Sequence, residues 1–225
     1  SFKPKISGIF LKDKDYFSSF WSSIIKEKKI LKKNRKIKKK NINDINEFCN
    51  ITKKIFLNVY AGYIYRKITN ELQKYVRLDA LCHVANDIVA YLLPSLQDIE
   101  NENKLFLKDK EGLEIQQGIF LSAILQNKIE GIHLCKSMLL PLDLADEKME
   151  EFQNKGKVNF YGASVESFSD YDLVTLNNPE FLNAEDNSTL LPLEAAIDIA
   201  IRNKKKNKFL PFRHRRQAQY RSGLL

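Results

Sequence analysis

Residues that staple, kink or ligate are scarce in this sequence. Its 225 residues include 3 Cys, 6 Pro, 8 Gly and 3 His. Cys49, Cys82 and Cys135 lie far apart with no Cys-x-x-Cys spacing. That pattern excludes a disulfide framework and predicts buried free thiols in a reducing compartment. His83, His133 and His214 show no His-x-x-x-His spacing and no carboxylate pattern joins them, so no metal site is expected. His133, flanked by apolar residues, is expected as a core histidine. No apolar run approaches the roughly 18–20 residues of a spanning helix. The N-terminal SFKPKISGIFLKDKDYF has no apolar segment followed by a small-residue cleavage site. These absences predict a cytoplasmic protein without membrane contact. Internal repeats are also lacking.

Charge is present in quantity, and its placement matters more than its sum. The formal net charge is +9. Residues 26–40 hold ten basic residues and one acid, and residues 201–225 hold nine basic residues and none. The rest is an acidic body of net −9. Aromatic residues are missing from 26–40, so that run offers no stacking platform for single-stranded nucleic acid, and a solvated helix or loop is expected there. Arginine is rare, 8 against 29 lysines, yet Arg213, Arg215, Arg216 and Arg221 all fall in the last 13 residues. The Lys, Asn and Ile bias itself resembles the coding of an AT-rich genome.

With 44% hydrophobic and 11% aromatic residues the chain can bury a core. Up to about residue 155 apolar residues recur at three and four, which predicts helices. The first stripe is Phe17, Phe20, Trp21, Ile24 and Ile25. A second helix, capped at Asn43 or Asp44 and running to Tyr65, is expected to bury Phe48, Ile51, Ile55, Val59 and Gly62. Leu78, Leu81, Cys82, Ala85, Ile88, Val89 and Leu92 form a third stripe that Pro94 ends. Residues 97–111 read as a linker or an exposed helix. Ile115, Ile119, Phe120, Ala123 and Ile124 form a fourth pattern, interrupted at Gly131 and resumed to Leu139. A short helix from Asp143 to Phe152 follows. The period then changes to that of strands. Lys157–Glu166 reads as one strand and Tyr171–Asn177 as a second, joined by a turn at Ser167–Asp170. A helix over about 187–203 is expected to bury Leu191, Leu193, Ala196, Ile197 and Ile199–Ile201. The predicted organisation is a helical region over 1–155, the start of an α/β domain over 156–203 and a basic tail over 204–225.

Three runs carry a resemblance. Leu173-Val-Thr-Leu-Asn-Asn-Pro-Glu-Phe-Leu-Asn-Ala-Glu-Asp186 is similar to the opening strand and loop of the crotonase (enoyl-CoA hydratase/isomerase) superfamily. Pro179 would end the strand, Leu182 would anchor the loop in the core, and Asn183 would bond backbone. Lys110-Glu-Gly-Leu-Glu-Ile-Gln-Gln-Gly-Ile-Phe120 and the run Gly131–Pro141 resemble the helical region of one branch. That branch is the cofactor-independent 3,5-dihydroxyphenylacetyl-CoA 1,2-dioxygenases of aromatic amino-acid precursor biosynthesis. The resemblance covers about residues 75–200. It implies a fold that is mainly α in its N-terminal region, followed by the first β-hairpin and helix of an incomplete crotonase-type α/β domain.

The same resemblance implies an arylacetyl-CoA thioester as substrate, O₂ as co-substrate, no cofactor and no metal. It allows a homo-oligomer. Glu185 aligns with a glutamate that faces the substrate ring hydroxyls, and is the expected catalytic residue. Asp186 or Asn187 would cap the following helix. Glu114, Gln116 and Gln117 are weaker candidates for contact with the pantetheine arm, against a plain solvated helix face.

The chain also departs from the family. The oxyanion N–H donors of that family come from a Phe-Ser-Ala-Gly-Ile-type loop after the second core strand and from a later Gly-Gly helix N-terminus. Here 40 residues follow Glu185, and past Arg202 the sequence becomes Asn-Lys-Lys-Lys-Asn-Lys and then Arg-rich. The expected apolar strand is missing on this reading, and Tyr220-Arg-Ser-Gly supports no donor. A C-terminally truncated or altered form with little dioxygenase activity is therefore expected. The competing readings are a remnant of another crotonase-type hydratase or isomerase, and a non-enzymatic helical module that uses its basic segments. Nucleic acid is not an expected partner, because the C-terminal charge coincides with the point where the family pattern fails.

Overall fold

The computed structural model describes residues 4–33, 39–185, 188–203 and 209–214, as backbone alone at 32–33, 39–41, 79 and 209–214. It divides into two compact units, residues 1–140 and 141–225. The division precedes the boundary expected at 155, because the helix over Asp143–Lys155 packs on strand and helix of the second unit.

The first unit is helical. Its elements are α1 (Phe10–Lys33), α2 (Lys39–Ile68), α3 (Leu78–Ile88), α4 (Leu96–Asn103), a 3-10 turn (Leu107–Asp109), α5 (Glu114–Leu125) and α6 (Lys128–Ser137). The long α2 is the hub, touching α1, α3, α5 and α6. Phe17 and Trp21 of α1 meet Phe56 of α2 at ring-centroid distances of 5.2 and 5.5 Å, and Phe56 meets Tyr60 at 5.0 Å. All four rings are buried. The Trp21 indole N–H donates to Thr52 Oγ1 at 3.0 Å, and that hydroxyl donates to the Cys49 carbonyl at 2.7 Å. Every polar atom of this aromatic wedge that needs a partner has one.

The buried face of α2 differs from the expected one. Phe48, Ile51 and Val59 are exposed, while Cys49, Thr52, Lys53, Phe56, Leu57, Tyr60, Ala61, Ile64 and Tyr65 are buried. Two apolar stripes compete on this helix, and contact with α1 and α5 selects the aromatic one. Cys49 and Cys82 are buried as expected, but Cys135 is exposed. His133 is a core histidine: its Nδ1 pairs with the Tyr65 hydroxyl at 2.8 Å and its ring stacks on Tyr75 at 4.5 Å.

Asp13, in the first turn of α1, is buried and accepts four hydrogen bonds. The donors are the Tyr60 hydroxyl at 2.6 Å, Ser7 N and Oγ at 3.0 and 2.7 Å, and Gly8 N at 3.1 Å. Burial pushes its carboxyl upward, but the bonds from Tyr60, Ser7 and Gly8 outweigh that and hold it below the usual carboxylate range. The stability it contributes is present above the ordinary carboxyl pKa and is lost as pH falls through the folded value. Asp13→Asn should cost about 1–3 kcal/mol at pH 7. In urea titrations the gap between the two proteins should narrow toward pH 3.

The polar stretch 97–111 contains α4, which begins with a capping box between Ser95 and Asp98. The interruption expected at Gly131 is the packing of two short helices. A Cβ at Gly131 would lie 2.9 Å from the Leu125 carbonyl oxygen and 3.1 Å from its Cα. Both are backbone atoms that cannot step aside. Gly131→Ala should cost about 1–3 kcal/mol, read as a lower urea midpoint with an unchanged slope.

The second unit is a two-layer α/β arrangement of α7 (Asp143–Lys155), β1 (Lys157–Phe160), β2 (Ala163–Ser167), β3 (Asp172–Leu176), a 3-10 turn (Pro179–Phe181), α8 (Leu190–Arg202) and β4 (Phe209–His214). The segment expected as one strand over 157–166 is a hairpin. Gly162 turns it with φ +67°, and Val158 pairs with Val165. The turn at 167–170 forms where expected, with the Phe168 N–H on the Tyr171 carbonyl at 2.8 Å. β1, β2 and β3 are antiparallel, and β4 lies parallel to β3 with Leu173 opposite Leu210.

This corrects the expectation of a missing strand past Arg202: Phe209–His214 pairs with β3, so β3–α8–β4 is a βαβ unit. The signal was obscured because Phe-Leu-Pro-Phe is short and lies among basic residues. Residues 204–208 and 215–225 of the basic tail lie outside the described residues, as do Asp186 and Asn187 with their expected capping role. Val158, Ala163, Val165, Val174 and Leu176 pack one sheet face against Leu193, Ala196 and Ile199 of α8 and Phe152 of α7. Leu191 and Ile201, expected on the buried side of α8, are exposed.

Candidate functional site

The loop between β3 and α8 places Glu185. Pro179 opens the 3-10 turn, and Leu182 and Asn183 follow in the left-handed region with φ 55° and 59°. Two consecutive non-glycine residues there are strained. A pair of asparagines braces them. Asn178 N donates to Asn183 Oδ1 at 2.7 Å, and Asn178 Nδ2 donates to the Ala184 carbonyl at 3.2 Å. Asn183 N returns to the Asn178 carbonyl at 2.8 Å. Asn183 thus bonds backbone as expected. Leu182 does not anchor the loop: it is 79% exposed. A residue forced to positive φ at the tip of a turn points its Cβ outward, which sequence pattern alone does not reveal. Glu185 is exposed, and its carboxylate has no hydrogen bond or ion pair among the described residues.

A second candidate lies wholly within the helical unit. A cavity of about 640 Å³ opens between α1, α2, α4 and the segment leading into α5. Of the three weaker candidates, Gln116 is buried and lines it, while Glu114 is exposed, Gln117 is half-buried and neither lines it. The Gln116 amide oxygen accepts a hydrogen bond from Lys53 Nζ. Lys53 is 2% exposed and its ammonium stands 5.6 Å from the Trp21 ring centroid. Burial pushes the Lys53 amine down to about 8, helped by the Lys28 charge and opposed by Cys49. Burial likewise pushes the Cys49 thiol up, against the pull of Lys53 and Lys28, so it stays protonated at neutral pH.

The acids of the cavity are engaged. Lys28, drawn out of the basic run 26–40, pairs with Glu111 at 2.6 Å and donates to Asn46 at 2.9 Å. Glu102 accepts the Glu111 and Leu113 backbone N–H groups at 2.6 and 2.7 Å, ahead of α5. Asn86 fixes the turn at the rim through both its amide atoms, to Leu93 N and O at 2.9 and 2.8 Å.

Lys53 and this cavity were missed in the sequence because a lysine reads as a polar helix position. The available signal was its place between Cys49 and Phe56 on the aromatic stripe. Among the described residues no three His, Cys, Asp or Glu side chains group as a metal site, and no helix is long and apolar enough to cross a membrane.

No family model matches the chain. Among curated proteins, a (3,5-dihydroxyphenyl)acetyl-CoA 1,2-dioxygenase of Amycolatopsis orientalis is 35% identical over 146 residues, 65% of this chain. The chain spans about a third (34%) of the length of that relative.

Proposed function

We propose that this chain is part of a crotonase-type, cofactor-independent arylacetyl-CoA dioxygenase. The observation that carries the reading is the 35% identity over 146 residues to a (3,5-dihydroxyphenyl)acetyl-CoA 1,2-dioxygenase. In the proposed reaction an arylacetyl-CoA loses an α-proton and the carbanion reduces O₂ directly. The thioester then breaks: the aryl-bearing carbon becomes a ketone, the carbonyl carbon a carboxylate, and the sulfur leaves as free CoA. Both atoms of O₂ enter the arylglyoxylate, and no external reductant is needed.

The role proposed for Glu185 is supported by its exposure, without a partner among the described residues, at the end of a braced loop following β3. It would accept a ring hydroxyl proton and push charge onto the ring. An exposed carboxylate becomes a stronger base once substrate displaces water from around it.

The test gives purified protein 3,5-dihydroxyphenylacetyl-CoA in air and in a metal chelator, following O₂ and free thiol together. One O₂ consumed per CoA released supports the proposal. Thiol release without O₂ consumption would assign thioester hydrolysis instead. Absence of both turnover and saturable binding of the thioester would overturn the reading. Little turnover is expected of this chain alone, so saturable thioester binding is the first readout; where turnover is measurable, Glu185→Gln should lower kcat about 10²-fold or more while moving KM little.

A further inference from the structure

We propose that the cavity of the helical unit is a binding site for a small organic monocarboxylate with an apolar body, its carboxylate held by Lys53 and the Gln116 amide. The inference does not rest on the dioxygenase reading, although Gln116 is also one of that reading's weaker candidates.

One buried charge in this cavity has no carboxylate partner among the described residues. Lys53 is almost wholly buried, and among the described residues no carboxylate pairs with it; its partners are the Gln116 oxygen and the Trp21 ring. A buried ammonium left in that state is costly unless an anion completes it. The neighbouring acids are committed elsewhere: Glu111 to Lys28, Glu102 to two backbone N–H groups, and Asp98 to Ser95. The Gln116 side-chain nitrogen has no partner among the described residues and supplies further donors.

The rest of the cavity sets the class of ligand. Ile24, Ile25, Leu93, Pro94, Leu105 and Leu113 line it. An apolar wall with a few convergent polar groups, at this volume, suits a compact organic molecule. The ionic groups limit the charge to one. Asp98, Glu102 and Glu111 stand against Lys28, Lys29 and Lys53 around the cavity. A phosphate dianion would face three carboxylates, and a neutral ligand would leave Lys53 as it is. A single carboxylate matches Lys53, the buried ammonium of this lining that has no carboxylate partner among the described residues.

The sole tryptophan, Trp21, lies 5.6 Å from the Lys53 nitrogen and reports on the site directly. The experiment titrates the protein with 4-phenylbutyrate, its uncharged amide and inorganic phosphate, reading Trp21 fluorescence and calorimetric heat. Saturable binding of the carboxylate is expected, with the amide and phosphate at least tenfold weaker. The groups about the amine are Lys28 of α1, Cys49 of its own helix and the neutral Trp21 and Gln116. With the amine losing its proton around 8, carboxylate binding should be about tenfold weaker at pH 9 than at pH 7.

Lys53→Met should abolish carboxylate binding. Gln116→Glu should do so as well while keeping the fold, because it supplies the missing carboxylate from within. The inference is overturned if the carboxylate does not bind the wild-type protein, if the amide binds equally well, or if folded Gln116→Glu binds like wild type.

Discussion

Lys53→Met is expected to make the helical unit more stable. Transfer of the lysine ammonium into its site lowers its pKa from 10.5 to about 8. That shift corresponds to roughly 3 kcal/mol of unfavourable free energy at neutral pH. Methionine has nearly the same length and no charge, so it fills the same space. The substitution also strips the Gln116 oxygen of its donor, which returns about 1–2 kcal/mol. The net gain should be about 1–2 kcal/mol, or several degrees in melting temperature.

The pH dependence is the sharper signature. Between pH 8 and 10.5 the unfolded chain binds more protons at this residue than the folded one, so wild-type stability rises with pH across that window. The variant lacks that rise. Its advantage should be full below pH 8 and gone by about 10.5. Urea melts at pH 7, 9 and 10.5 measure it, and a variant less stable than wild type at pH 7 would show that the amine is stabilised in a way its partners do not explain.

The largest loss is expected at Phe56. Its ring is fully buried and is the common neighbour of Phe17, Trp21 and Tyr60, at centroid distances of 5.2, 5.5 and 5.0 Å. Phe56→Ala should cost about 3–5 kcal/mol, because the three flanking rings come from α1 and α2 and cannot collapse into the void together. Phe56→Leu, which keeps most of the volume, should cost less than half as much. Denaturant midpoints of the two variants give the ratio, and equal losses would mean that ring geometry matters more than volume.

Much of the helical unit is legible in the sequence where one apolar stripe stands alone. α3 and the turn after it bury Leu81, Cys82, Ala85, Val89 and Leu92, and α5 buries Ile119, Phe120, Ala123 and Ile124. α2 is ambiguous because Phe48, Ile51 and Val59 form a stripe as regular as the one that is buried. Helical periodicity states which residues share a face but not which face meets a neighbour. The hairpin at Gly162 escaped for a related reason: a single glycine within an alternating run looks like a continuous strand.

Of the candidate residues, Gln116 lines a cavity and bonds Lys53, a residue 63 positions away in sequence. A partner at that distance leaves no local trace. The Asn178–Asn183 brace is the opposite case, since turn-forming asparagines around a proline are visible in the sequence itself.

That brace has a consequence for the energetics of recognition. A surface loop ordinarily loses about 1–2 kcal/mol of backbone entropy per residue when a ligand fixes it. Here Leu182 and Asn183 are already locked in a left-handed geometry by three hydrogen bonds between Asn178 and its successors. The ordering cost is met when the chain folds rather than when a ligand arrives. Glu185 adjoins this braced backbone, so the contact proposed for it would not have to be offset by freezing residues 178–184.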